Sequence, residues 1–197
     1  MLKILNKSDK LIILIHEIYG INQHIMYYCH LLSNKGFDVI CPDLLEREQS
    51  FEYSEEEIAY HNFIENIGFT GATDKIKNLL VDVKNKYQKI YLVGFSIGAT
   101  VAWLCSEEEC LDGVVGYYGS RIRNYTELVP VCNTLLFFPQ EEEAFAVDEL
   151  ISNLQIKNIE IYQYSGQHGF SDPYSSKFNE KSFQNALNVM INFLKKH

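Results

Sequence analysis

Three kinds of residue, widely separated along the chain, could together do nucleophilic chemistry: a serine, a histidine and a run of glutamates. Ser96 stands in Gly94-Phe95-Ser96-Ile97-Gly98, directly after the apolar run Ile90-Tyr91-Leu92-Val93. Beyond it Ile97, Val101, Leu104 and Cys105 recur at helical spacing, which places the pentapeptide at a strand-to-helix turn. Glycines on both sides of a serine permit a sharp turn that projects the hydroxyl from the sheet edge, as in a nucleophile elbow. A chance turn of small residues would share the letters without the flanking strand and helix.

A serine hydroxyl attacks poorly at neutral pH, so it needs a base, and the base needs a group to orient it. His168, within Ser165-Gly166-Gln167-His168-Gly169-Phe170, follows the final strand pattern on a glycine-flanked loop and is the candidate base. His24, His30 and His61 fall in helical stretches, His16 ends a strand beside Glu17, and His197 is the terminus. The acid is expected after residues 134–138, where Pro139-Gln140-Glu141-Glu142-Glu143 leaves three adjacent glutamates open. A solvated acidic run accounts for two of them in any case. Serine, acid, histidine is the chain order of α/β-hydrolases.

Such a constellation needs a sheet whose strand ends converge. Strand-like apolar runs occur at residues 11–15, 38–41, 90–93, 114–118, 134–138 and 159–164. Helical patterns separate most of them: Ile25, Tyr28, Cys29 and Leu32, then Ile76, Leu80, Val83 and Tyr87, and finally Phe183, Leu187, Met190 and Leu194. Nearly all-apolar strands alternating with helices argue for a three-layer α/β domain with a mainly parallel sheet covered on both faces. Residues 44–70 are less regular and read as a surface insertion with a short helix near 58–67 that could roof the site. Residues 1–197 are read as one domain, with no repeat or linker to divide them.

Composition narrows the function further. A net charge of -9 disfavours phosphate backbones and anionic membrane surfaces, and the one clear basic cluster runs from Arg121 to Arg123. No stretch approaches the roughly 18 apolar residues that span a bilayer. Cys29, Cys41, Cys105, Cys110 and Cys132 are odd in number, lie mostly in apolar runs and lack zinc-site spacing, so they read as reduced core residues. A soluble, cytoplasmic protein with no metal, nucleic-acid or membrane partner is the expectation.

Dispersed blocks sharpen the reading. His16-Glu17-Ile18-Tyr19-Gly20-Ile21-Asn22, Gly36-Phe37, Cys41-Pro42-Asp43-Leu44, the Ser96 pentapeptide, Val115-Gly116-Tyr117-Tyr118-Gly119 and His168-Gly169-Phe170 together resemble the dienelactone hydrolase family, in the right order over most of the chain. The resemblance implies an oxyanion hole from the backbone N–H groups of Ile97 and Ile18, and no cofactor. Matched without gaps from Leu135-Leu136-Phe137, it puts the acid on Glu143, with Glu142 one step away as the alternative. Glu17 matches a family residue close to the nucleophile, and a buried structural acceptor is the competing role. Tyr19, Tyr60, Tyr118 and Arg121 are further candidates for lining the site.

The chain departs from the family pattern in three ways. Characterised members use cysteine where this chain has Ser96, and aspartate where it has glutamate. The arginines that clamp a substrate carboxylate are missing: Asp172 stands where one is expected, and the stretch around Glu56 to Tyr60 supplies glutamate for the other. Dienelactone itself is therefore not the expected substrate. The expectation is a serine hydrolase for a compact, neutral or weakly polar ester, lactone or thioester. The alternatives are a non-catalytic binding or regulatory protein on the same fold, and an acyltransferase with the same residues.

Overall fold

The computed structural model describes residues 1–47, 49–142, 145–154 and 159–197. Seven strands, β1 (Leu2–Ile4), β2 (Lys10–Ile15), β3 (Asp38–Cys41), β4 (Lys89–Phe95), β5 (Gly113–Tyr117), β6 (Asn133–Glu141) and β7 (Ile159–Gln167), form one sheet in the order β1-β3-β2-β4-β5-β6-β7. All neighbours are parallel except β1 and β3. The six expected strands are present. β1 adds a seventh that three half-exposed residues were too short to signal.

Alternation along β2 shows why its run is apolar throughout. Ile12 and Leu14 join the core under helices α1 (Gln23–Ser33) and α5 (Glu180–Lys196). Leu11, Ile13 and Ile15 join the opposite core under α3 (Gly68–Val83) and α4 (Ile97–Leu104). All five are fully buried, each worth about 1.5–3 kcal/mol of transfer free energy. This is the α/β-hydrolase architecture, a mainly parallel sheet between two helical layers.

The insertion is more ordered than the sequence suggests. It holds a single helical turn, Tyr53–Glu55, then α2 (Glu56–Asn66) and the start of α3, which begins eight residues before the apolar periodicity at Ile76. From β2 the chain crosses through α1 to β3 on one side, then returns through α2 and α3 to β4 on the other. That reversal opens a crevice beyond the carboxyl ends of β2 and β4, where ligands settle in open α/β sheets. No helix among the described residues is long and apolar enough to cross a bilayer.

Candidate active site

Close packing of backbone makes the elbow. A Cβ on Gly94 would strike the carbonyl of Gly98, and a Cβ on Gly98 would strike the carbonyl of Ile15 in the neighbouring strand. Both positions must be glycine for α4 to rise directly off β4 and lie against the end of β2. Between them Ser96 adopts φ 53 and ψ -115, a region that costs a non-glycine residue of order 1–3 kcal/mol. The conformation is held by the Ser96 N–H on the Tyr117 carbonyl at 2.9 Å and by the Ser96 carbonyl, which accepts the Ala99 N–H at 3.1 Å.

The loop after β2 supplies the second wall. Buried His16 bridges it: Nδ1–H donates to the Glu17 carbonyl at 2.6 Å, and Nε2 accepts the Leu44 N–H at 2.9 Å. Burial lowers the His16 pKa, which keeps the ring neutral and in this one tautomer. The Gly20 N–H also donates to the Glu17 carbonyl, at 3.2 Å. Because the peptide is trans, fixing that carbonyl aims the Ile18 N–H the opposite way. Ile18 and Ile97 both line the cleft, and neither N–H donates to a protein acceptor among the described residues.

Opposite them a hydrogen-bonded line reaches Ser96. His168 Nε2 lies 2.8 Å from Ser96 Oγ, and Nδ1 lies 2.6 Å from Oε1 of Glu142. The carboxylate at the imidazole thus belongs to Glu142, whereas the ungapped match put the acid on Glu143, which lies outside the described residues. The ladder gives the reason. Glu141 pairs with Gln167 after a register shift near Pro139, so the residues that follow that pair, Glu142 and His168, emerge side by side.

A cleft of about 1130 Å³ surrounds Ser96, lined among others by Glu17, Tyr19, Tyr60, Arg121 and Asp172. Tyr118 does not line it. A positive φ of 42 turns the ring into the core, where it packs under His168 at 4.8 Å between centroids and its hydroxyl meets Ser171 Oγ at 3.0 Å. Glu17 is 5% exposed; burial first, and the charge of Asp172 second, push its pKa up to about 8. Tyr53, which the sequence reading passed over, packs edge-on against Tyr19 at 4.9 Å and donates its hydroxyl to Asp172 Oδ2 at 2.6 Å. Arg121 hydrogen-bonds the Tyr60 hydroxyl, so the insertion roofs the cleft as expected. Arg123, from the same basic cluster as Arg121, also lines the cleft and stacks over Phe145 at 4.9 Å. His16 carried one usable signal, its place at a strand end directly before the loop.

Comparison with known proteins agrees with this architecture. The Bacillus subtilis (strain 168) uncharacterized protein YczH is 40% identical over 185 residues, covering 92% of this chain and 91% of that one. The carboxymethylenebutenolidase of Pseudomonas putida is 26% identical over 199 residues, covering 93% and 84%. Among solved structures, a dienelactone hydrolase-like promiscuous phosphotriesterase from metagenomic libraries shares the fold with a TM-score of 0.74 at 12% identity, covering 96% and 87%. The profile of the dienelactone hydrolase family matches residues 3–197, and the chain belongs to that family.

Proposed function

We propose that the chain is a serine hydrolase that cleaves a small ester, lactone or thioester through an acyl-enzyme. The observation that carries this reading is the unbroken hydrogen-bonded line from Ser96 Oγ through His168 to Glu142, at 2.8 and 2.6 Å. Ser96 Oγ attacks the carbonyl carbon while its proton passes to His168 Nε2. Glu142 keeps Nδ1 protonated and stabilises the imidazolium. The Ile18 and Ile97 N–H groups donate to the developing oxyanion. His168 then protonates the leaving oxygen or sulfur. Water repeats the attack on the acyl carbon with His168 as base, and Ser96 is restored.

Charge on the cleft wall bears on the substrate. Glu56 and Asp172 line it, so an acyl group whose own carboxylate lies against them meets repulsion, and Glu17, its pKa pushed up to about 8, offers a substrate carboxylate no cation. A compact, neutral or weakly polar acyl group fits better. The five cysteines are all unbridged, in keeping with a reducing cytoplasmic setting.

A fluorophosphonate probe tests the reading. The parent chain should label, Ser96→Ala and His168→Ala should not, and short-chain esters should turn over faster than long-chain ones. Labelling retained in Ser96→Ala, or inactivation by a thiol alkylator instead, would overturn the assignment.

A further inference from the structure

Beside the oxyanion loop, three side chains from distant parts of the chain turn toward one point. Glu17 comes from the loop after β2, His24 from the first turn of α1, and Asp172 from the loop after β7. All three are buried, and one donor atom from each lies within 4.8 Å of the others. His24 is the unexplained member. Neither ring nitrogen has a hydrogen-bond partner among the described residues, although the ring is wholly buried between Phe95 and Tyr28, with centroids at 4.8 and 5.1 Å. An imidazole that merely filled this space would leave both ring nitrogens desolvated without hydrogen bonds, a cost that an apolar ring would avoid.

The geometry of the pair suggests what the ring faces. Nδ1 of His24 lies 3.5 Å from Oδ1 of Asp172, too long for a good N–H···O bond. Two ligands on one tetrahedral zinc ion, each about 2.0–2.1 Å from it, stand about 3.3 Å apart. Asp172 is also held in the manner of an outer-shell-supported ligand, with the Tyr53 hydroxyl on Oδ2 at 2.6 Å and the Tyr174 N–H on Oδ1 at 2.8 Å. No lysine or arginine among the described residues pairs with either carboxylate. One imidazole with two carboxylates and no thiolate is a donor set for zinc, manganese or iron(II), since calcium and magnesium prefer oxygen alone.

We propose that Glu17, His24 and Asp172 form a binding site for one divalent transition-metal ion of the zinc class, with water completing its shell. This departs from the expectation that the chain holds no metal, which could not take in ligands at positions 17, 24 and 172 with no local spacing to read. Glu17 and Asp172 line the cleft, so the ion enters from there. Once bound it joins the oxyanion loop, α1 and the loop after His168. The inference stands apart from the serine chemistry and is tested without turnover.

The full chain is stripped with a chelator, dialysed against zinc or manganese, and analysed for retained metal and for melting temperature. Cobalt(II) is titrated in parallel and followed by visible absorption. About one equivalent should be retained, with a higher melting temperature and the d–d bands of a mixed nitrogen and oxygen site. His24→Phe, which keeps a ring between Phe95 and Tyr28, should bind at least about tenfold more weakly, as expected for a lost ligand. Asp172→Asn is the second variant should the first fail to fold. No metal retained by the parent chain, or equal retention by parent and folded variant through surface histidines such as His61, overturns the proposal.

Discussion

The two halves of the cleft are built in opposite ways. Ser96 and the loop carrying Ile18 rest on β2 and β4, the middle of the sheet, where backbone meets backbone with no room for one methyl group. His168 and Glu142 hang from β6 and β7 at the margin, where β7 alternates half-buried with exposed residues. Placement of the Ser96 hydroxyl is therefore part of the folding problem, and placement of the His168 imidazole rests on two hydrogen bonds and one ring contact, with Tyr118. The first half should resist change until the fold fails. The second should lose function while the fold survives.

The sharpest way to break this contrast is Gly98→Ala. Its Cβ meets the Ile15 carbonyl, a fixed backbone atom, so a loss of about 3 kcal/mol or more is expected, seen as a collapse in melting temperature together with probe labelling. Normal melting with normal labelling would mean that the elbow is looser than described. Next comes Glu142→Gln, expected to cut kcat by about three to four powers of ten at nearly unchanged melting temperature, by analogy with loss of the orienting acid in serine proteases. Glu143→Gln is its control, and a loss there as large as in Glu142→Gln would return the acid to the position that the ungapped match chose.

His16→Phe probes the boundary between the halves. Removing both of its hydrogen bonds leaves the Glu17 carbonyl held by the Gly20 N–H alone, and kcat should fall about tenfold to a hundredfold with little change in KM, less than the loss of a whole oxyanion donor. His16→Gln, which can still donate and accept, should recover part of it. The same histidine gives a pH prediction. Its folded pKa is depressed, so below about 6.5 the unfolded chain binds the extra proton and stability falls as pH drops. Between about pH 7 and pH 5 the urea midpoint should fall more in the parent than in His16→Gln, the like contribution of His24 and the opposite one of Glu17 being common to both. The smallest effect is expected for Tyr60→Phe, which removes the Arg121 hydrogen bond at the roof and should change KM by less than about tenfold.

The same contrast decides what was legible from sequence. Gly94, Ser96 and Gly98 could be read because close backbone approach leaves glycine as the only residue that fits, and a steric necessity writes itself into the letters. Five of the six longer strands were legible for a related reason, since burial on both faces demands unbroken apolar runs, whereas β7 at the sheet edge carries Glu160 and Gln163 among its apolar residues. The acid was not, because a register shift between β6 and β7 has no letter of its own and three neighbouring glutamates look alike. Tyr118 was misplaced because a backbone φ of 42 turned its ring inward. The long start of α3 hid in Gly68-Phe69-Thr70-Gly71, whose glycines argue against a helix that tertiary packing nonetheless imposes. His16 and Tyr53 act through partners far along the chain, at Leu44 and Asp172, which no local pattern announces.

The dihedral at residue 96 also limits which amino acids could ever replace the serine. A positive φ of 53 is bearable for an unbranched Cβ and forbidding for a branched one. Serine and cysteine can thus trade places across a lineage by one atom, with the main chain undisturbed, whereas threonine, equally able to attack, is shut out by torsion before its chemistry is tried.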